Sequence, residues 1–440
     1  MPPSEFRYWE NSGRGWPRLI RTAGRLVGFD PAPSHDVIDA VAAMYEEGDP
    51  LADAFLEEVA STNEARELWN HAVRDGIAGV PEAPATLRAL FEDIETPPAW
   101  LDLDMVERGA KVFRRYGVHV FRFAGAITLA GYAESSVAKP LALAGGYLGS
   151  SARRRFLETV AFWIEVSEPR GLVRGAPGWT TTLHVRLGHA LIRRRLLAHP
   201  VWDRAAWGTP ISQADSLFTL MGGSIGTGLA MRAMGFRTSR EDIMALLHFW
   251  RWVGHIVGVK PRFYPSTPED ALRLAFVALA RGADLAGADG LNLCQSYANA
   301  FAPDPQAPLK ERLRAELSHR VHLGYTRFFL PPWLYKKNAL PNAGLWVLHP
   351  LVQMPLVFTL ETLRRTSPAI DDALDQARRR SRRAWLEHHA KQAKNGARVR
   401  RSDHEHSRAE ASRAVSPART RTDPGTGEAD SRGTVGARMS

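Results

Sequence analysis

The stretch "SREDIMALLHFWRWVGHIVGV", Ser239 to Val259, decides the fold class. Apolar side chains recur through it at helical spacing. Ser239 stands where an N-cap belongs, and Asp242 follows three residues on, as in a capping box. His248 and His255 are seven residues apart, so they share one helix face two turns from each other, with Trp250 and Trp252 close by. The same period runs through "SHDVIDAVAAMYEEGDPLADAFLEEVAS", broken in two at Gly48-Asp49-Pro50, and through "PATLRALFEDIE", stopped by Thr96-Pro97-Pro98. It returns in "LDMVERGAKVFRRYGVHVFRFAGAITLAGYA", a long helical run, and in "SARRRFLETVAFWIEVSE" and "TPEDALRLAFVALARGADLA". Ser34, Ser212, and Thr267 with Asp270 three residues on, are further N-cap candidates. No series of alternating strands and no repeat of fixed period is visible. The chain is therefore expected to be all-α, a single large helical domain.

At 440 residues, with 45% hydrophobic and 24% charged residues, the composition is that of a globular protein with a sizeable core. Its one cysteine, Cys294 in "LNLCQSYA", rules out a disulfide framework and a Cys-rich metal site, and is expected as a small buried apolar residue. The N-terminus has no signal-peptide pattern, which points to the cytoplasm. "AGLWVLHPLVQMPLVFTL", Ala343 to Leu360, carries His349, Pro350, Gln353 and Pro355, and is expected to form a kinked buried helix. A membrane-surface segment is the alternative.

The net charge of +10 does not indicate nucleic-acid binding, because of where the charge sits. From Gln376 to the end there are sixteen Lys/Arg and seven Asp/Glu, so nine of the ten excess charges lie there. After about Ala390 large apolar residues almost vanish, and the tail is expected to be disordered, making at most weak contacts with membrane surfaces or acidic partners. The organisation read from this is an N-terminal extension over 1–30, a helical domain over 31–375, and a basic helix end with a disordered tail over 376–440.

Familiar catalytic motifs are absent: there is no HExxH, CxxC, GxSxG or Walker A loop. "GGSIGTG", Gly222 to Gly228, sits inside an apolar helical run, where close helix packing or flat access for a planar ligand is expected over phosphate binding. The histidines are more suggestive. In "TTLHVRLGHALIRRRLL", Thr181 to Leu197, His189 lies between Leu187 and Leu191, with Arg186 and Arg193 at i−3 and i+4. Spacing alone leaves His184, His189, His248 and His255 open between hydrogen-bonded core residues and ligands. In "RRRFLETVAFW", Arg155 and Thr159 are one turn apart, and their face continues toward Phe156, Val160 and Trp163. An arginine and a hydroxyl pointing inward suit a carboxylate, such as a haem propionate, or bound oxygen.

"ERGAKVFRRYG", "LALAGGYLGSSARRRFLET", "VRLGHALIRR" and "HFWRWVGHIVGV" together resemble the catalytic domain of the latex-clearing-protein family of rubber oxygenases and the related MpaB-type oxygenases. The resemblance covers roughly Asp30 to Pro350. It implies an all-helical fold with an extended globin-like core holding one haem b. It further implies that His189 is the iron ligand, Arg155 and Thr159 lie on the distal side, and His248 and His255 support the haem environment. Arg186, Arg193 or Arg194 are then candidates to neutralise propionates. Where some members carry a distal lysine beside the threonine, this chain has Glu158, and where some carry a further histidine it has Arg194. Glu134 in "GYAESS" is the nearest acid to the family's distal glutamate, with Lys139 as close in spacing, and His184 has no assigned role. The expectation is a haem b-dependent oxygenase that uses O2 on a small hydrophobic, unsaturated substrate. A haem- or lipid-binding protein without catalysis, or a non-haem metal oxidoreductase on the same histidines, are the other readings.

Overall fold

A computed structural model describes residues 2–59, 63–145, 149, 151–282 and 285–414, with side chains to 391. Every regular element among the described residues is a helix. Helix α1 (Leu103–Arg115) starts at Asp102, whose carboxylate accepts from the backbone N–H groups of Asp104 and Met105. It ends where the expected long run breaks: Gly117 takes φ +58°, a left-handed turn that leads into α2 (His119–Gly131). Then come α3 (Ser135–Leu143), α4 (Ser151–Val166), α5 (Pro177–Leu197) and α6 (Gln213–Met221).

At the centre lies α7 (Arg240–Val257), the stretch on which the all-α reading rests. Ser239 and Asp242 form the full capping box. Twelve of its eighteen residues are buried, among them Phe249, Trp250 and Ile256, which is why α1, α5 and α6 all pack around it. Each such large apolar side chain taken out of water contributes about 1.5–3 kcal/mol. Ser212 and Thr267 cap their helices through side-chain oxygens, whereas Ser34 holds the N-cap position without a side-chain bond. Cys294 is buried, as expected.

The glycine cluster forms a short π-helical turn, Gly222–Gly226, that continues α6. A Cβ on Gly223 would stand 2.8 Å from the Trp250 ring, and one on Gly228 2.2 Å from Ile243, so close packing against α7 accounts for these two.

The segment from Ala343 departs from expectation. After α8 (Leu309–Phe329), a 3-10 turn, Gly344–Leu348, leads into α9 (His349–Leu363), which packs on α8. Neither the turn nor the helix is buried: Leu345 in the turn is 83% exposed, and Val352 and Leu356 in the helix are 74% and 63% exposed. Its apolar residues lie on all sides, but only the side carrying Pro350, Val357 and Glu361 meets the body. No helix among the described residues is long and apolar enough to cross a membrane.

Residues 1–391 form one compact unit. Its first residues pack onto it, with Tyr8 buried and the Asn11 amide donating to the Gly282 carbonyl at 2.6 Å. The last helix, α10 (Pro368–Ala414), carries the backbone past 390. The side chains from 392 and all of 415–440, where the disordered tail was expected, lie outside the described residues.

Candidate functional site

Helices α4 and α5 are joined by a short connection, and the start of α5 sits on the end of α4. The Trp179 N–H donates to the Gly171 carbonyl at 2.9 Å, and the Thr181 hydroxyl donates to the Glu165 carboxylate. The two helices are packed on each other. Counting back from the Thr181–Glu165 pair in antiparallel register brings Thr159 level with Leu187 and Gly188, and Arg155 level with Leu191. Continued from the Thr181–Glu165 pair, this register would bring the two motifs, thirty residues apart in sequence, opposite each other.

On α5, Val185, Gly188, His189 and Ile192 form a half-buried stripe, while His184 is exposed. Nothing lies within 4 Å of where a Cβ on Gly188 would stand, so this stripe borders open space. The His189 ring makes no hydrogen bond among the described residues. Burial, reinforced by the Arg193 guanidinium and only partly offset by Asp49, pushes its pKa down to about 4. It is therefore a neutral imidazole at pH 7, the form that can present a nitrogen lone pair to a metal.

The arginines of the same helix are engaged by the protein itself. Arg186 is 1% exposed and grips Asp49 with two bonds, Nε–Oδ2 at 2.7 Å and NH2–Oδ1 at 2.9 Å, with Asp93 3.8 Å from its third nitrogen. Gly258 makes room for this pair. It has φ +92°, and a Cβ there would stand 2.1 Å from Asp49 Oδ2. Arg193 donates to Asp53 at 2.6 Å and to the carbonyls of Pro210 and Ile211, and Arg194 donates to the Leu56 carbonyl at 2.8 Å. Carboxylates and carbonyls of this chain engage each of the arginines expected to meet propionates, although Arg186 NH1 keeps no hydrogen bond.

Arg155 is half-exposed and donates to Glu158 at 2.9 Å, and the Thr159 hydroxyl donates to the Arg155 carbonyl at 3.1 Å. Both side chains lie at the rim of the α4–α5 pair, with Phe162 one turn further along. Glu134 sits elsewhere. It occupies the N-cap position of α3 and lines a polar cavity of about 20 Å³ with Glu5, Ser135, Trp207 and Arg281, to which no residue of α4 or α5 contributes. Lys139 is paired with Asp289 at 2.6 Å.

His248 and His255 flank Trp100, with ring centroids 5.6 and 5.9 Å from it, and Arg251 lies over the same ring at 4.0 Å. His248 Nε2 accepts from the Asp102 N–H at 2.9 Å, and His255 Nε2–H donates to the Asp93 carbonyl at 3.3 Å. Burial lowers both pKa values, that of His255 to about 4. The pair fastens the segment between Asp93 and Asp102 onto α7. Sequence reasoning missed Trp100 as their common partner and Asp49 as the partner of Arg186. Neither contact leaves a local signal, since each spans more than a hundred residues of chain.

The sequence profile of ER-bound oxygenase mpaB/B'/rubber oxygenase catalytic domains matches residues 114–354 of this chain. The chain belongs to this family. It is 27% identical over 259 residues to the rubber oxygenase of Streptomyces sp. (strain K30), a match that covers 57% of this chain and 60% of that protein. The fold is similar to that of latex clearing protein LCP in the closed state, with a TM-score of 0.51 at 20% identity, over 77% of this chain and 89% of the other. Glu134, Arg155, Thr159, His189, His248 and His255 all fall inside the segment that matches the oxygenase family, while most of α1 and the whole of α10 fall outside it.

The residues present fit a haem on the α5 side. One neutral imidazole is enough to hold a haem iron, and the His189 ring is neutral, makes no hydrogen bond among the described residues, and stands beside an open helix face. A site built from three protein ligands finds less support: among the described residues no three His, Cys, Asp or Glu side chains come together as a metal-holding group.

Proposed function

We propose that this member of the family is a haem b-dependent oxygenase that acts with O2 on a small hydrophobic, unsaturated substrate. The observation that carries the reading is His189, a neutral imidazole without a hydrogen bond on the half-buried stripe of α5, level with the Thr159 region of α4. His189 would hold the iron, and the rigid helix behind it, pinned by Arg186 and Arg193, would fix the ring's direction. Haem iron, when bound, supplies the coordination site and electrons that dioxygen chemistry needs. Arg155 would take a carboxylate in exchange for the exposed Glu158. Phe162, Leu187 and Ile192 supply apolar surface that keeps water away. The overall reaction would insert both atoms of O2 at a carbon–carbon double bond, giving two carbonyl products from one alkene.

The absorbance spectrum of the purified or haem-reconstituted protein tests this. A Soret band is expected in the wild type and in His184→Ala, and is expected to be lost in His189→Ala. Colourless protein that takes up no haem would overturn the assignment. Oxygen uptake with an alkene substrate then separates an oxygenase from a haem carrier.

A further inference from the structure

Away from the α4–α5 pair, a cavity of about 250 Å³ opens where α9 and α10 close over α1 and the start of α7. Nine charged side chains line it. Five are cationic (Arg108, Lys111, Arg115, Arg364 and Arg378) and four anionic (Asp242, Glu361, Asp371 and Asp375). Eight of the nine are matched. Arg115 meets Asp242 at 3.0 Å and Glu361 at 3.4 Å, Arg108 meets Asp242 at 3.5 Å, and Arg364 meets Glu361 at 3.1 Å. Lys111 meets Asp371 at 2.7 Å, and Arg114, behind the wall, takes Asp375 at 3.0 Å.

The guanidinium of the ninth, Arg378, makes no hydrogen bond and no ion pair among the described residues; only its backbone carbonyl is bonded, by the Ser381 hydroxyl. It is half-buried, its stem lies against Gly117 at the left-handed turn between α1 and α2, and Glu361 is felt only at longer range. A guanidinium taken partly out of water without a partner is costly, and its planar fork of donors is shaped for a carboxylate. Counting also Arg114 and Asp372, which pair with Asp375 and Lys111 from outside the lining, the charges still sum to one positive, so a monoanion would bring the site to neutrality, whereas a dianion would leave its second charge unbalanced. Val112, Leu360 and Leu374 add apolar wall, which an organic anion can cover and a bare halide cannot.

We infer that this cavity is a binding site for a small organic monocarboxylate, held by Arg378 between α1, α9 and α10. It is separate from the proposed haem side, and it uses residues on α10 that lie beyond the segment matching the oxygenase family.

The test is calorimetric titration of the full-length protein with sodium benzoate and sodium butyrate, with sodium chloride and sodium sulfate as comparison salts. Saturable binding of a carboxylate, weaker by tenfold or more in Arg378→Gln, is expected, as for the loss of a charge-assisted pair of hydrogen bonds. Leu374→Trp, which fills the cavity and keeps Arg378 in place, should abolish binding as well. Arg378→Gln should fold at least as well as the wild type, because it removes an unpaired charge. Thermal unfolding checks this independently of any ligand. No saturable carboxylate binding, equal binding by chloride or sulfate, or binding that survives both substitutions would overturn the proposal.

Discussion

Arg186→Met separates two roles for one arginine. If Arg186 serves as half of a buried ion pair, its loss strands the Asp49 carboxylate, which is 5% exposed as a residue and keeps only the Ala52 N–H as a hydrogen-bond donor, at 3.3 Å. Removing one partner of such a pair costs about 3–5 kcal/mol, mostly as the penalty of the uncompensated charge. The unfolding entropy of a 391-residue unit is about 0.8 kcal/mol per degree at the usual value per residue, so Tm should fall by about 4–6 °C. Asp49→Asn in the same chain removes the stranded charge yet keeps an oxygen for the Ala52 N–H, and the double variant should regain most of the loss. Thermal unfolding by circular dichroism on the haem-free protein reads all three. An unchanged Tm in Arg186→Met together with weaker haem retention would refute the ion-pair account and return Arg186 to the propionates. A double variant less stable than the single one would refute it too.

Three further outcomes follow from the same physical picture. His119 and His322 are buried, and burial, reinforced by neighbouring arginines and histidines, holds both at a pKa of about 3, below the 6.5 of an exposed ring. The unfolded chain therefore binds these protons first. Stability should be full above pH 6.5 and fall by about 1.4 kcal/mol per pH unit for each ring as pH drops toward 3. His322→Phe should reduce that slope by one ring's worth in denaturant titrations between pH 6.5 and 5, and an unchanged slope would contradict the assignment. Gly258→Ala should destabilise by more than about 1 kcal/mol, since it combines a positive φ with a clash against the Asp49–Arg186 pair; a neutral effect in thermal melts would show that the pair can shift. Val352→Asp with Leu356→Asp should reduce co-sedimentation with liposomes while leaving thermal stability within about 0.5 kcal/mol, because both residues are exposed. Equal sedimentation would exclude α9 as the contact.

Helical character, caps and the order of the histidine motifs could be read locally, because a helix is a short-range structure whose apolar period and end signals lie within a few residues of each other. The central helix at Ser239 shows this, and so does Thr267 with Asp270. The face of α5 that carries His189 also follows from spacing, since four residues make about one turn. What the spacing could not assign were the partners. Arg186 and Asp49 are 137 residues apart, and Trp100 meets His248 and His255 from a segment about 150 residues upstream. Ala343 to Leu360 looked like core because it is apolar on every side, yet only one side of α9 finds a surface to cover it. By itself, then, the sequence determined where helices run and which residues share a face. Only the tertiary structure decided which arginines are consumed by carboxylates and that Arg378, alone within its charged cavity, is left over. Burial and charge pairing depend on what the rest of the chain brings to each face, and that information is not local to any stretch of sequence.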